Sequence, residues 1–436
     1  MEKGGVLQNT GWLIIGSIMR MLVQLVIGAI SARYLGPSNY GVLNYVAAYI
    51  SLFSIICELG LTITIVNEIV KADVSEGTLV GTAIVMRIFT GVLSMIALLI
   101  LTFLIDGNDY VIRGVVVIRA VGLIFDSFNT INYWYQSKLQ SKYATMYELF
   151  AYIISSAYKV IILILHKDIF WFAAATTIDS LFIAFFYLIG FKKHCKSKLK
   201  FSFCESSRLI RIGLPFVFSG IMVFVYGQTD RIMIGKMLSQ QDVGYYSCAA
   251  SIGTMIGFIP QAIMNSGKTL IMDENKHNIY VFELRTKQTI AAVLWIMNFY
   301  AFTIMILGKY AILILFGKDY LPALNTLKIL IWSFGLSYVG TLRNVWLICK
   351  NKREYATVFS TIGAVGNIVL NFILIPIFGI NGAALATIIT QVTTTCIAPA
   401  FFKKTRRFSL LLIQALFLKD IELPFIWNKF MKKIRG

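Results

Sequence analysis

GLPFVFSGIMVFVYGQTDRIMIGKMLSQQDVGYYSCAASIGTMIGFIPQA runs from Gly213 to Ala262, just past the midpoint of the 436-residue chain. Two long apolar segments flank a short polar turn, Ser239 to Asp242. Asp230 and Arg231 sit side by side inside the first segment, where charge is costly and therefore points to function. The stretch also echoes the N-terminus. Shifted back by about 203 positions, Leu238 to Tyr245 falls on Leu35 to Val42, and the flanking apolar runs align too.

A second match strengthens the repeat. Asn132, Trp134, Lys138, Tyr143, Ala144 and Thr145 coincide with Asn344, Trp346, Lys350, Tyr355, Ala356 and Thr357 at an offset of about 212. The change in offset implies about nine extra residues in the second half, with the polar loop Asp273 to Lys287 as their place.

Composition assigns the class. The chain is 58% hydrophobic and 14% charged, with a mean hydropathy of +0.75; soluble domains carry nearly twice that share of charge. The net charge of +19 would indicate nucleic acid in a soluble chain. Here the uneven placement of Lys and Arg accounts for it, and the basic stretches lack interleaved stacking aromatics, so no nucleic-acid partner is expected. Six scattered cysteines without a CxxC pair, and three histidines, give no basis for a metal site, a cofactor or a disulfide framework. The first apolar run is about twenty residues long and contains Arg20, which reads as an uncleaved first span.

Apolar stretches of spanning length recur at about 11–33, 40–66, 79–105, 111–136, 144–166, 169–190, 212–236, 243–266, 288–316, 322–349, 355–376 and 380–402. The expected fold is an all-α polytopic membrane protein of about twelve transmembrane helices. A six-helix unit repeated in one orientation gives two lobes related by a pseudo-two-fold axis along the membrane normal. The expected division is an N-terminal lobe at 1–195, a basic linker at 196–211, a C-terminal lobe at 212–402 and a basic tail at 403–436. Lys and Arg concentrate in the even-numbered gaps and both tails, so both termini are expected in the cytoplasm. In the tail, Phe408 to Leu418 is too short to span. Phe425 to Arg435 suits an amphipathic helix on the anionic leaflet, with a disordered basic tail as the alternative.

Seven bases lie inside spans: Arg20, Arg87, Arg119, Lys159, Arg231, Lys328 and Arg343. Four acids accompany them: Glu58, Asp126, Asp179 and Asp230. The surplus points to a cationic cavity that takes an anion. Arg20, near mid-depth, has no acid three or four residues away; it lines the cavity or pairs with Glu58 or Asp179 on another helix. Asp230 and Arg231 point about 100° apart. With Lys159 and Arg343, these are the candidate substrate-binding residues. Glu58, Asp126 and Asp179 are candidate ion-coupling groups or fixed counter-ions. Arg87 and Lys328 are expected to snorkel from helix ends. Asn367 and Asn371 share a helix face, for sugar hydroxyls or for joining helices. No residue is read as catalytic.

These residues resemble the polysaccharide-transporter branch of the multidrug/oligosaccharidyl-lipid/polysaccharide exporter superfamily. The matching segments are Asn9-Thr10 through Arg20 to Ala32–Pro37 with Tyr40-Gly41; Asp230–Gly235 with Val243–Tyr245; Phe316-Gly317 with Tyr320 and Pro322-Ala323; and Leu370-Asn371, Ile375-Pro376, Gly379-Ile380 and Gly382–Ala384. The resemblance implies a flippase for O-antigen or capsule repeat units on undecaprenyl pyrophosphate, carried from the cytoplasmic to the outer face of a bacterial inner membrane. Arg20 stands where such proteins commonly have a basic residue. Expected partners are the lipid-linked oligosaccharide, membrane lipids, and the polymerase and chain-length proteins of the same pathway; a monomer is expected. A cation-coupled drug antiporter of the same superfamily would need a carboxylate in the first helix, which has Arg20 instead. A membrane glycosyltransferase or polymerase would need a large extramembrane loop or an acidic metal site, and neither is present.

Overall fold

The computed structural model describes residues 3–71, 74–107, 109–195, 197–274 and 278–419. The described residues form helices in the order α1 (Lys3–Glu58), α2 (Leu61–Lys71), α3 (Glu76–Asp106), α4 (Tyr110–Ala120), α5 (Gly122–Phe125), α6 (Thr130–Ser137), α7 (Ser141–Ile164), α8 (Ile169–His194) and α9 (Phe203–Met237). There follow α10 (Gln240–Gly253), α11 (Phe258–Glu274), α12 (Ile279–Leu315), α13 (Ala323–Cys349), α14 (Arg353–Phe378), α15 (Ile380–Val392), α16 (Ala398–Phe401) and α17 (Arg406–Leu416). Every one of the twelve expected spans is a helix or a run of helices. Among the described residues, eight helices are each long and apolar enough to cross a membrane, nine if the bent α10–α11 pair counts as one.

The interruptions have identifiable causes. α1 holds the first two spans and turns at Gly36, whose φ of 72° favours glycine. Pro37 follows, its fixed φ suited to the first turn of the second span. That span breaks again at Leu59 and Gly60, both at positive φ. The fourth span is α4, α5, a 3₁₀ turn over Asp126–Asn129, and α6. The eighth bends by 52° between α10 and α11. Pro260 lies in the first turn of α11, where a missing N–H costs least. In the twelfth, a π-turn over Thr393–Ile397 precedes Pro399, a local unwinding that relieves the proline's clash with the preceding turn.

The chain divides into two compact units, Met1–Ser247 and Cys248–Gly436. The boundary lies inside α10, so α9 packs with the first unit. Residues 203–211, expected as linker, are the first turns of α9: Ser202 caps them by accepting from the Glu205 N–H at 3.4 Å. The rest of the linker lies along α3, where Lys200 N donates to Gly77 O at 3.2 Å and Ser202 N donates to Thr82 Oγ1 at 3.0 Å. A Cβ on Gly77 would stand 2.3 Å from Lys198 O, so this approach requires glycine.

The second repeat is visible atom by atom. At the α6–α7 junction, Lys138 N donates to Trp134 O, Leu139 N to Gln136 O and Gln140 N to Tyr135 O. At the α13–α14 junction, Lys350 N donates to Trp346 O, Asn351 N to Ile348 O and Lys352 N to Leu347 O. Leu139 and Asn351 adopt φ of 55° and 54°. One turn serves both halves, each within its own unit.

The first unit packs a core around Leu61, Leu79, Val80, Ile131, Trp134 and Tyr187. Inside it, α9 runs along the second half of α1. Cβ atoms on Gly213, Gly220 and Gly235 would meet Leu59 O at 2.1 Å, Ile55 Cγ2 at 2.7 Å and the Tyr45 ring at 2.5 Å. The two copies of the first repeated turn also touch. A Cβ on Gly41 would lie 1.7 Å from Gln240 O, and one on Gly244 would lie 2.0 Å from Pro37 O. The second unit centres on Phe282, Ile290, Leu342, Trp346 and Phe359, and on α17. Phe408, Leu411, Leu412 and Ala415 give α17 a buried stripe at helical spacing. The stretch Phe425 to Arg435 lies outside the described residues.

Gly41→Val and Gly244→Val force backbone apart and should each cost about 1–3 kcal/mol. Gly366→Ala, at a position open for 4 Å around its Cβ, should leave the unfolding temperature of the detergent-solubilised protein unchanged. Equal transitions in all three would refute the contact.

Candidate functional site

Arg20 of α1 faces an acid absent from the expected set. Its Nη2 lies 3.6 Å from Glu148 Oε2 and donates to the Glu148 backbone carbonyl at 3.4 Å. Glu148 is in the second turn of α7. Its Oε1 accepts from Tyr187 OH of α8 at 2.6 Å and from Asn132 Nδ2 of α6 at 2.9 Å. Tyr152, one turn further along α7, brings its ring to 5.6 Å from the Arg20 guanidinium carbon. Asp179 of α8 is within electrostatic reach of Arg20 and of Lys159 on α7. Its Oδ1 is buried and has no hydrogen-bond partner among the described residues. Lys159 also feels Arg119, whose Nη1 donates to Leu43 O at 2.7 Å.

A second group adjoins it. Arg87 is 1% exposed, against the expectation that it snorkels. The reason is that the broken fourth span packs against α3 and covers it. Its Nη1 donates to Thr130 Oγ1 at 3.2 Å, and its guanidinium lies 6.0 Å from the Tyr133 ring centre. Tyr133 OH donates to Glu58 Oε1 at 3.4 Å. Asp126 accepts from Ser180 Oγ at 2.8 Å and feels both Arg87 and Glu58. The breaks at Gly60 and Asp126–Asn129 bring these side chains together, because each ends a helix beside α3.

The remaining expected residues each have contacts of their own. Asp230 is buried and accepts from Tyr246 OH at 2.5 Å. Arg231 donates to Gln228 on its own helix. In the second unit, Arg343 is buried. It donates to Thr394 O in the π-turn and to Asn344 Oδ1 at 3.0 Å, with its guanidinium 4.9 Å from the Phe359 ring centre. Asn371 Nδ2 donates to Asn367 Oδ1 at 3.0 Å, a contact within α14.

Sequence reasoning missed Glu148, Tyr187 and Asn132. Glu148 lay inside the expected fifth span, which was the available signal. It makes the intramembrane acids five, and it stands beside Arg20, which has no acid three or four residues away on its own helix.

At the C-terminal end of α2, a cavity of about 520 Å³ is lined by Thr64, Asn67, Glu68, Val70, Lys71, Ile212 and Phe216. Glu68 accepts from Lys71 Nζ at 2.7 Å and from Arg208 Nη1 at 2.5 Å. The Lys71 hydrogen bond, with Arg208 beside it, holds the Glu68 carboxyl below the usual carboxylate range. A depressed folded value stabilises above the unfolded value of ~4.3, and the contribution is lost as pH falls through the folded one. The unfolding temperature should therefore drop more between about pH 5 and pH 3 in the wild type than in Glu68→Gln. Arg87→Ala removes a buried guanidinium with its hydrogen bond to Thr130 and should cost roughly 1–3 kcal/mol. Wild-type thermal stability in that variant would show that the Arg87 group holds nothing together.

Residues 6–266 match the family model described as polysaccharide biosynthesis protein. Residues 215–373 match the model described as MatE. The chain is similar to the capsular polysaccharide biosynthesis protein CapF of Staphylococcus aureus, 22% identical over 419 residues, 92% of this chain and 100% of CapF. It is similar to the probable low-salt glycan biosynthesis flippase Agl15 of Haloferax volcanii, 27% identical over 207 residues, 47% of this chain and 44% of Agl15. Among solved structures it resembles the lipid II flippase MurJ in an inward closed conformation. There the TM-score is 0.71 at 15% identity, over 96% of this chain and 95% of MurJ. An inward-facing multidrug resistance transporter of the MATE family gives a TM-score of 0.71 at 14% identity, over 90% of this chain and 95% of that one. These structures share the all-α polytopic fold of the chain.

Proposed function

The chain belongs to the polysaccharide biosynthesis protein family, whose members are membrane transporters rather than enzymes, and we propose that it is a flippase for a lipid-linked saccharide. The cargo is an oligosaccharide repeat unit on undecaprenyl pyrophosphate, moved from the cytoplasmic to the outer face. By its repeats the chain forms lobes at 1–195 and 212–402, and the lipid tail stays in the bilayer while the headgroup crosses. Alternating access then follows from rocking of one lobe against the other. Both termini face the cytoplasm, on the Lys and Arg asymmetry of the gaps.

The observation that carries the reading is Arg20. It is a guanidinium in an apolar helix, about one-third exposed and held only loosely by its acid. Arginine stays charged when desolvated and grips phosphate through two parallel hydrogen bonds. Lys159 and Arg343 add positive charge, and Asp230 and Arg231 complete the proposed cargo contacts. Glu58, Asp126 and Asp179 serve as counter-ions or ion-coupling groups. The similarity to CapF and to Agl15 supports a saccharide cargo. A drug antiporter shares the fold but calls for an acid in the first span, the place of Arg20.

In cells that depend on this chain for surface polysaccharide, Arg20→Ala should abolish the polymer while the protein still inserts, and Arg20→Lys should retain part of it. Normal polymer with Arg20→Ala would refute a headgroup contact at this position.

A further inference from the structure

Arg20 and Glu148 are an ion pair of unusual looseness. The Arg20 Nη2 to Glu148 Oε2 distance is 3.6 Å, beyond a hydrogen bond. Elsewhere in the chain, Arg208 meets Glu68 at 2.5 Å and Arg407 meets Glu283 through two bonds of 2.8 and 2.5 Å. Glu148 itself is not loose. Tyr187 OH and Asn132 Nδ2 both donate to its Oε1, and Asn132 is steadied in turn by Gln136 Nε2 at 3.2 Å. The carboxylate is therefore fixed by two neutral donors on α8 and α6, independently of the arginine. Oε2 alone is turned to Arg20.

From this asymmetry we infer that Glu148 is the carrier's internal stand-in for the cargo's phosphate: it holds Arg20 in the empty protein and releases it to an arriving phosphate or diphosphate ester. The inference rests on the reading of Arg20 as the headgroup ligand. The exchange is chemically balanced. Arg20 gives up one distant carboxylate oxygen and a long hydrogen bond to the Glu148 carbonyl and gains a bidentate, multiply charged acceptor. Glu148 keeps both neutral donors, so its desolvated charge is not stranded. Asp179, the other acid in reach of Arg20, has a buried oxygen without a hydrogen bond among the described residues and so lacks the second support that Glu148 has. The arrangement gives release as well as capture. Glu148 competes for Arg20 at all times, so the headgroup is never held by the full strength of an unopposed guanidinium. Glu148 is a positioning residue; it acts on cargo through Arg20.

The test uses the full chain in lipid nanodiscs, with inorganic pyrophosphate as the titrant and calorimetry as the readout. Glu148→Gln preserves the oxygen that accepts from Tyr187 and Asn132 but removes the competing charge. It should bind pyrophosphate about tenfold more tightly than the wild type. Glu148→Asp keeps the charge and should bind as the wild type does, and the gain should vanish when Arg20→Ala is added to Glu148→Gln. Unchanged or weaker binding by Glu148→Gln, with binding lost in Arg20→Ala, overturns the stand-in alone. The same tightening in Glu148→Asp overturns it too, because charge would not be the cause. Wild-type binding by Arg20→Ala overturns the headgroup reading, and this inference with it.

Discussion

A charge inside hydrocarbon costs at least ~2.5–3.5 kcal/mol at a helix centre, and the helices of this chain are arranged around avoiding that cost. Three of the intramembrane arginines find different remedies. Arg20 has a carboxylate at a distance and an aromatic ring alongside. Arg87 is sealed with a threonine hydroxyl and two nearby acids. Arg343 takes a backbone carbonyl freed by a π-turn and a neighbouring asparagine. Arg87 and Arg343 are buried, whereas the Arg20 side chain stays about one-third exposed beside its acid.

The remedies depend on irregular backbone. A straight helix spends its carbonyls on itself and turns its side chains at a fixed period. The breaks at Leu59–Gly60 and Asp126–Asn129 place Glu58, Asp126, Thr130 and Tyr133 around Arg87. The π-turn at Thr393–Ile397 supplies the carbonyl to Arg343. Glycine does the complementary work at close contacts: on α9, Gly213 leaves room for the Leu59 carbonyl, and Gly220 and Gly235 leave room for the Ile55 side chain and the Tyr45 ring of α1. Helix packing in lipid depends on such close approach, since lipid tails offer no hydrophobic drive between helices.

Several expectations held because they rest on local chemistry. Apolar length located the spans, and the spans are helices. The repeat read from Asn132–Thr145 and Asn344–Thr357 reappears as the same turn, with positive φ at Leu139 and at Asn351. Residues 203–211 turned out to be helix because Ser202 caps them, a signal present in the sequence as serine followed three residues later by glutamate. Arg87 was misplaced because its burial comes from the fourth span, whose Thr130 and Tyr133 close over it from 43 and more positions away.

The sequence by itself determined the class, the spans, the duplication and which charges lie in apolar segments. These follow from composition and from period, and both are properties of neighbouring residues. Tertiary structure alone decided who meets whom. Arg20 and Glu148 are 128 positions apart, and Tyr187 reaches the same carboxylate from 39 positions away. Pattern along the chain fixes the direction of a side chain around its own helix. The partner across the gap depends on how separate helices pack, and no local period carries that information.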